Sequence, residues 1–248
     1  MMDLSLIKRE KSTEVVSYDL DHLMKTYAAV KEAQEEVGGT ITFRAKLPKE
    51  GKSFLIDTGD EDNLISVPTI EGVVVYSHLC NARFDPASRN EPPICSSMDA
   101  KVGVDLEDGA VHNCETCEFN QFGTAGQGKR GKACKNMIRL YILTDSSPIP
   151  ILLSLPPTSM RNWQTYRYGL SLDQLSPKGV LTELSLVNAV SKTSGDKFVK
   201  VKPRFKGVLS EEARRIAEMF AAGFAPKVEI TADDYEVKED GEVNESDE

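Results

Sequence analysis

The segment 81–135 constrains the fold more than any other part of this chain. Hydrophobic periodicity is absent there, and Gly, Pro, Asn and Cys take its place over a length that exceeds an ordinary loop. So few apolar side chains cannot order a segment of this length by forming a core. We therefore expect a bound ion to order it.

Four of the five cysteines are suitable ligands for such an ion. Cys114 and Cys117 form a CxxC pair, with eighteen residues between Cys95 and Cys114 and sixteen between Cys117 and Cys134. A CxxC pair occupies two corners of a tetrahedral site and two distant thiolates complete it, as in structural zinc centres. We predict one structural Zn²⁺ held by Cys95, Cys114, Cys117 and Cys134.

Other roles for these cysteines remain open. Free thiols are common in cores, although Cys95 and Cys114 have proline or asparagine neighbours that are unusual there. Ferredoxin clusters need more closely spaced cysteines, and thioredoxin-like chemistry needs a βαβ unit. Cys80 is then the spare cysteine, and His78 or His112 replaces a ligand if one of the four is assigned wrongly.

The rest of the chain predicts short strands and few helices. An amphipathic helix is expected over 19–37, and a second begins after Ser210 and ends at Gly223. Strands and helices do not alternate, so the fold class is mainly β with peripheral helices (α+β), in a small barrel or sandwich. The predicted strands are 40–46, 53–57, 72–80, 137–143, 149–155, 180–190 and 197–205.

Charge is segregated along the sequence. The chain has a net charge of −9, and residues 229–248 contain ten acids and one lysine, which account for all of it. The neutral body is therefore free to carry basic patches that contact phosphates. The acidic tail has too few apolar side chains to fold and is predicted to be disordered. It would recruit partner proteins or compete with nucleic acid for a basic groove.

A glycine-rich basic loop is the first candidate for contact with nucleic acid. No acid occurs between Phe119 and Thr144, and cations alternate with glycines there. The backbone of such a loop can approach phosphates closely, although the residue order is not that of a P-loop. A solvated rim of the zinc site is the alternative. The candidate residues are Lys129, Arg130, Lys132, Lys135 and Arg139.

Two further stretches add aromatic rings and positive charge. Bases stack on exposed rings with about 1–3 kcal/mol each, and residues 159–168 offer Arg161, Trp163, Tyr166, Arg167 and Tyr168. Trp163 and Tyr166 are three residues apart and could instead both face a core on a helix. The predicted hairpin places its cations on one face of a strand, as polar outer faces of sheets often do. The cations on that face are Lys200, Lys202, Arg204 and Lys206, and the hairpin also offers Lys197 as a candidate contact.

These motifs together resemble a known family. The resemblance lies in Pro93-Ile-Cys-Ser-Ser-Met-Asp99, Cys114-Glu-Thr-Cys117, Gly128-Lys-Arg-Gly-Lys-Ala-Cys-Lys135 and Leu155-Pro-Pro-Thr-Ser159. With the lysine-rich hairpin and the acidic terminus, they resemble single-stranded-DNA-binding proteins of phage replication and mobile-element modules, over about residues 70–248. The resemblance implies an OB-like β-barrel, structural zinc, no catalysis, and a tail that contacts replication or recombination proteins.

The resulting domain prediction has three parts. An N-terminal helical region covers 1–39, and an OB-like barrel covers 40–226 with the zinc-binding insertion at about 81–135. A disordered acidic tail covers 227–248. The sequence does not determine the oligomeric state.

We therefore expect a non-catalytic protein that binds single-stranded DNA without sequence preference. The chain has no secretory signal and no apolar run of membrane-spanning length, so a cytoplasmic location in a bacterial or phage-infected cell is expected. One alternative is a zinc-stapled protein that mediates protein interactions or regulates transcription. A less favoured one is a metal-dependent nuclease using Asp57, Asp60, Glu61 and Asp62, because clustered acids at a turn are more often solvated.

Overall fold

The predicted mainly β structure is confirmed. The computed structural model describes residues 15–16, 31–32, 36, 41–60, 63–85, 92–126, 131–191 and 195–223. Their strands join one open, mixed sheet. The strands are β1 (Val15–Val16), β2 (Phe43–Lys46), β3 (Phe54–Asp57), β4 (Ile65–Val67), β5 (Thr69–Arg83), β6 (Cys95–Ser97), β7 (Val102–Asp105), β8 (Val111–Asn113), β9 (Cys134–Thr144), β10 (Ser147–Leu155), β11 (Val180–Val190) and β12 (Lys197–Leu209).

Within the described ranges, two long helices pack on this sheet, α1 (Pro157–Leu172) and α2 (Glu211–Gly223). Two short 3₁₀ turns cover Glu118–Asn120 and Pro177–Gly179. The Oγ of Ser210 accepts a hydrogen bond from the N–H of Ala213 at 3.2 Å, which confirms the predicted start of α2. No helix within the described ranges is long and apolar enough to cross a membrane.

Parts of the predicted organisation lie outside the described residues. Of the helix expected over 19–37, only Lys31, Glu32 and Glu36 are described, and all three are helical. The acidic tail falls wholly outside the described ranges. So do the central residues of the turn between β11 and β12.

β5 organises the sheet because its neighbours change along its length. Residues 69–72 pair with β11, and the strand pairs with β9 from Val73 onward. Its last three residues also pair with β6, from which β7 and β8 continue as a side branch. The main path runs β1-β12-β11-β5-β9-β10-β2-β3-β4. The cysteine-containing segment is therefore attached to one end of the longest strand.

The two ends of the sheet approach each other. In the β2–β3 turn, the N–H of Gly51 donates to Oδ1 of Asn188 at 3.1 Å, and Glu50 pairs with Lys197 at 3.2 Å. These contacts join that turn to the β11–β12 hairpin, so the sheet curls around its core. The strand pairing itself stays open between β1 and β4 in the described residues, and an OB-like barrel is not confirmed.

Each face of the sheet has its own core. On the face covered by α1, here called the α1 face, Trp163 packs with Leu140 and Val201. On the opposite face, the α2 face, Phe220 packs with Tyr141. Leu140 and Tyr141 are neighbours in β9, so successive side chains of one strand enter different cores. Burial on both faces explains the nearly continuous apolar run of β9.

α1 also satisfies the backbone of a strand edge. The N–H of Val201 in β12 donates to Oγ of Ser159 at 2.9 Å, and Nδ2 of Asn162 donates to the carbonyl oxygen of Val201 at 2.9 Å. Over this part of β12, β11 is the strand partner on one side only within the described ranges. Two side chains of α1 thus take the place of a further strand.

Candidate functional site

All four predicted zinc ligands line one cavity of about 390 Å³. Cys95 begins β6 and Cys134 begins β9, and both are in register with Arg83 of β5. The two cysteines therefore flank Arg83 on neighbouring strands. Cys114 and Cys117 follow β8 directly and face the same cavity. The side branch β6–β7–β8 thus brings together cysteines that are far apart in sequence.

The electrostatics of the thiols also show their proximity. Burial and, to a smaller extent, the other three thiols of the cavity together raise the pKa of Cys134 to about 12. Burial likewise raises the pKa of Cys95, followed by the effects of Cys114 and Asp105. A bound divalent cation would instead lower the pKa of these thiols, because it stabilises the thiolate form that binds it.

Gly103 of β7 leaves the space that two of the sulfurs need. A Cβ at Gly103 would lie 3.1 Å from Sγ of Cys95 and 3.4 Å from Sγ of Cys114. The four thiols and this cradle suit a structural zinc ion. In the described part of the chain, no three His, Cys, Asp or Glu side chains are close enough to share an ion as they stand, so binding would draw the sulfurs together.

The alternation of side chains along β5 places two of the three possible substitute ligands away from the cavity. Cys80 is fully buried in a small core with Met137, on the opposite side of β5 from Asn81 and the cavity. His78 shares that side, and its Nδ1 lies 2.8 Å from the carbonyl oxygen of Met98. Only His112, among these substitutes, lines the cavity.

Replacing Gly103 with alanine tests this cradle. The added methyl group would push against two of the predicted ligands, so we expect zinc affinity to fall by about 10- to 100-fold, the cost typical of disturbing a ligand's supporting shell. Competition with a chromophoric chelator measures the affinity. Gly131→Ala is the matched control, since a Cβ there would meet only Ala125 at 3.5 Å. Equal zinc affinity in the two variants would contradict the prediction that the thiols next to Gly103 bind zinc.

The described residues between Cys117 and Cys134 (118–126 and 131–133), here called the cysteine loop, lie on the α1 face. Asn136 of β9 donates to Oδ1 of Asn120 at 3.0 Å, and Asn136 is two residues from Ile138 of the α1-face core. Nζ of Lys132 donates to Oδ1 of Asn120 at 3.1 Å, and Nζ of Lys135 donates to the carbonyl oxygen of Lys132 at 3.3 Å. Lys129 and Arg130 lie outside the described residues.

The loop also carries an aromatic residue that the sequence analysis did not single out. Phe122 is 81% exposed, and Nζ of Lys132 lies 5.1 Å from the centroid of its ring. Its only sequence signal is a position within the acid-free stretch.

The prediction that Arg139 contacts nucleic acid is wrong. Its side chain is fully buried on the side of β9 that also carries Met137 and Tyr141. Nη1 of Arg139 lies 3.9 Å from Sδ of Met98. The alternation of β9 therefore turns this cation into the interior, away from solvent.

The aromatic stretch divides between core and surface because it forms α1. Trp163 and Tyr166 are buried, at 1% and 4% exposure, so their prediction as stacking residues is wrong. The hydroxyl of Tyr166 lies 2.7 Å from Oγ1 of Thr182, inside the core. Arg161, Arg167 and Tyr168 face solvent, and Tyr168 is 76% exposed.

Two of the predicted hairpin cations, Lys200 and Lys202, lie on the other face of the sheet. Lys200 and Lys202 alternate with Val199 and Val201, whose side chains join the α1-face core. Their shared face, predicted from the period of two, is therefore the α2 face. The single groove expected from the sequence is divided between the two faces of the sheet.

Some of the hairpin cations are also neutralised. Arg204 forms two hydrogen bonds with the carboxylate of Glu183, at 2.9 and 2.7 Å, and these are the main reason why the pKa of Glu183 is lowered. Lys197 pairs with Glu50. Lys200 and Lys202 have no ion pair within the described ranges.

The acids considered for a nuclease are only partly described. Asp57 pairs with Lys46 at 3.0 Å and accepts a hydrogen bond from the N–H of Gly59 at 2.9 Å. Asp60 follows in the same turn, whereas Glu61 and Asp62 lie outside the described residues. The described contacts of Asp57 are those of a residue that stabilises a turn.

No protein-family model, curated protein or solved structure matches the chain.

Proposed function

We propose that this protein binds single-stranded DNA without sequence preference and without catalysing a reaction. The observation that carries the proposal is the outer surface of α1, which exposes one aromatic ring and two cations that have no acidic partner among the described residues. The cysteine loop, ordered by structural zinc as the protein's cofactor, provides a second basic surface on the same face of the sheet.

The exposed surface of α1 has the chemistry that a single strand requires. Arg161 and Tyr168 are seven residues apart, so they lie two turns apart on one side of the helix. Neither Arg161 nor Arg167 has an ion pair within the described residues, and α1 itself contains no acid. Stacking on Tyr168 tolerates any base, while the guanidinium groups contact the phosphates.

The cysteine loop can extend this surface. Asn136 holds the loop, and Ile138 packs in the α1-face core, so loop and helix lie on one face of β9. Lys132 thus adds a cation on the same side as Arg161 and Tyr168. A strand that crosses this face would meet both basic regions, which supports an extended binding channel.

The finer parts of the proposal concern architecture and biological setting. Contacts between the β2–β3 turn and the β11–β12 hairpin support an OB-like core that is closed by side chains. The acidic tail would recruit replication or recombination proteins, or compete with DNA, in the cytoplasm of a bacterial or phage-infected cell. The motif resemblance supports this setting in a phage or mobile element.

Variants on the two faces test the proposal. Tyr168→Ala should weaken binding of fluorescent oligothymidine by about 5- to 100-fold, which corresponds to the loss of one stacked base. Arg161→Gln should reduce the slope of log affinity against log salt by about 0.7, the value for one phosphate contact on a single strand. Lys202→Gln on the α2 face is the matched control and should change neither quantity. Absence of binding by the wild-type protein would contradict the proposal.

A second function, protein interaction through the zinc-stapled segment, is favoured by one observation. The β7–β8 hairpin turns one face to the cavity and exposes four apolar side chains on the other. Such a patch is typical of contact with another protein. For an adaptor of this kind, the affinity for oligothymidine would neither fall steeply with salt nor change when Tyr168 is replaced by alanine. The exposed residues are Val102, Val104, Leu106 and Val111.

A further inference from the structure

We infer that Phe122 and Lys132 form a separate nucleobase-binding site on the cysteine loop. The ligand is one base of a single strand, stacked on the phenyl ring, together with its phosphate, bound by the ammonium group. The inference rests on the proposed function and adds a second stacking position to that of Tyr168.

Phe122 is unusually accessible for a large apolar residue. At 81%, its exposed fraction is higher than that of any other large hydrophobic side chain in the described ranges. Most of the ring surface is therefore open to a planar ligand. Stacking on an aromatic ring removes apolar area of both partners from water, whatever the identity of the base.

Hydrogen bonds fix the backbone on both sides of this ring. The N–H of Gly123 donates to the carbonyl oxygen of Gly131 at 2.9 Å. Oγ1 of Thr124 lies 2.8 Å from the carbonyl oxygen of Gln121 and accepts a hydrogen bond from Ala133 at 2.9 Å. The ring thus projects from a braced turn, so a base that binds it has less backbone freedom to remove.

Lys132 provides positive charge at the ring. Its Nζ lies 5.1 Å from the ring centroid and donates to the amide oxygen of Asn120, which is neutral. Lys132 has no ion pair within the described part of the chain, so its charge is not cancelled by a carboxylate. An ammonium group has three donors, and it can therefore bind Asn120 and a phosphate together.

The surrounding sequence favours an anionic ligand. No acid occurs from Phe119 to Thr144. The site does not select a base, because neither the ring nor the ammonium group reads the hydrogen-bonding edge of a base. Its ligand class is therefore any single-stranded nucleotide, with the base and the phosphate recognised by different side chains.

Two oligonucleotides and two variants test this site in the full-length, zinc-loaded protein. Phe122→Ala should weaken binding of oligothymidine by about 5- to 100-fold. The same variant and the wild type should bind an abasic oligonucleotide of equal length with the same affinity, because this strand has no bases that could stack on Phe122. Phe122→Trp should retain the affinity, and its exposed indole should be quenched by oligothymidine. Trp163 is buried and gives the unquenched wild-type baseline.

The outcomes separate this inference from the proposed function. Wild-type affinity of Phe122→Ala for oligothymidine would overturn the inference, and so would an equal loss on abasic DNA. If binding remained sensitive to Tyr168→Ala in either case, the proposed function would stand. If the wild-type protein bound no oligonucleotide, both would fail.

Discussion

Removal of zinc is expected to unfold the segment 92–126 while the two main cores remain folded. The residues of those cores lie outside this segment, which has few buried apolar side chains of its own. Structural zinc contributes about 10–16 kcal/mol of apparent binding free energy in small zinc modules at pH 7, so its loss removes most of the local stability. Cys117→Ser should have the same effect as a chelator.

Elemental analysis and amide hydrogen exchange measure this result. The wild-type protein should contain one zinc per chain, and Cys117→Ser should contain none and lose amide protection over β6, β7 and β8. Cys80→Ala is the control, since Cys80 lies outside the cavity and should leave the zinc content unchanged. Unchanged protection of these strands after chelation would show that no metal orders them.

Trp163→Ala is expected to destabilise the whole fold by about 3–5 kcal/mol, the range for removal of a large aromatic side chain from a core. Trp163 is 1% exposed and packs against several strands at once on the α1 face. Urea unfolding followed by far-ultraviolet circular dichroism measures the free energy of unfolding. The loss should appear as a lower midpoint with an unchanged slope.

Two further variants test whether burial of the Trp163 side chain causes the lower free energy of unfolding. Leu172→Ala removes a side chain that is 73% exposed on the same helix and should change stability by less than about 0.5 kcal/mol. Trp163→Phe should cost less than Trp163→Ala, because Nε1 of Trp163 is buried without an acceptor in the described residues. A Trp163→Ala protein as stable as the wild type would place the indole outside the core.

The sequence predicted the regular β elements because their patterns are local. The β11–β12 hairpin and the alternation of Lys200 and Lys202 with valines follow from a period of two, and both are confirmed. The strands of the side branch were missed because each has only three or four residues. α1 was left undecided, because its segment mixes cations and aromatics without a clear apolar stripe.

The candidate site was predictable only in part. The spacing of the cysteines indicated a common site, and the structure places all four around one cavity. The cations could not be placed, because a period shows which residues of one strand share a face but not which helix covers that face. Arg139 and Trp163 illustrate this: each has the right chemistry for a nucleic-acid contact, and tertiary packing buries both.

The hydrogen bonds that join the side chains of Ser159 and Asn162 to the peptide groups of Val201 also affect how these molecules behave at high concentration. An uncovered border strand offers its peptide groups to other chains, and such pairing leads to aggregation or fibrils. Here the peptide groups of Val201 are already occupied by the same molecule. Neighbouring copies of this chain can therefore come into contact without forming strand-to-strand hydrogen bonds at Val201.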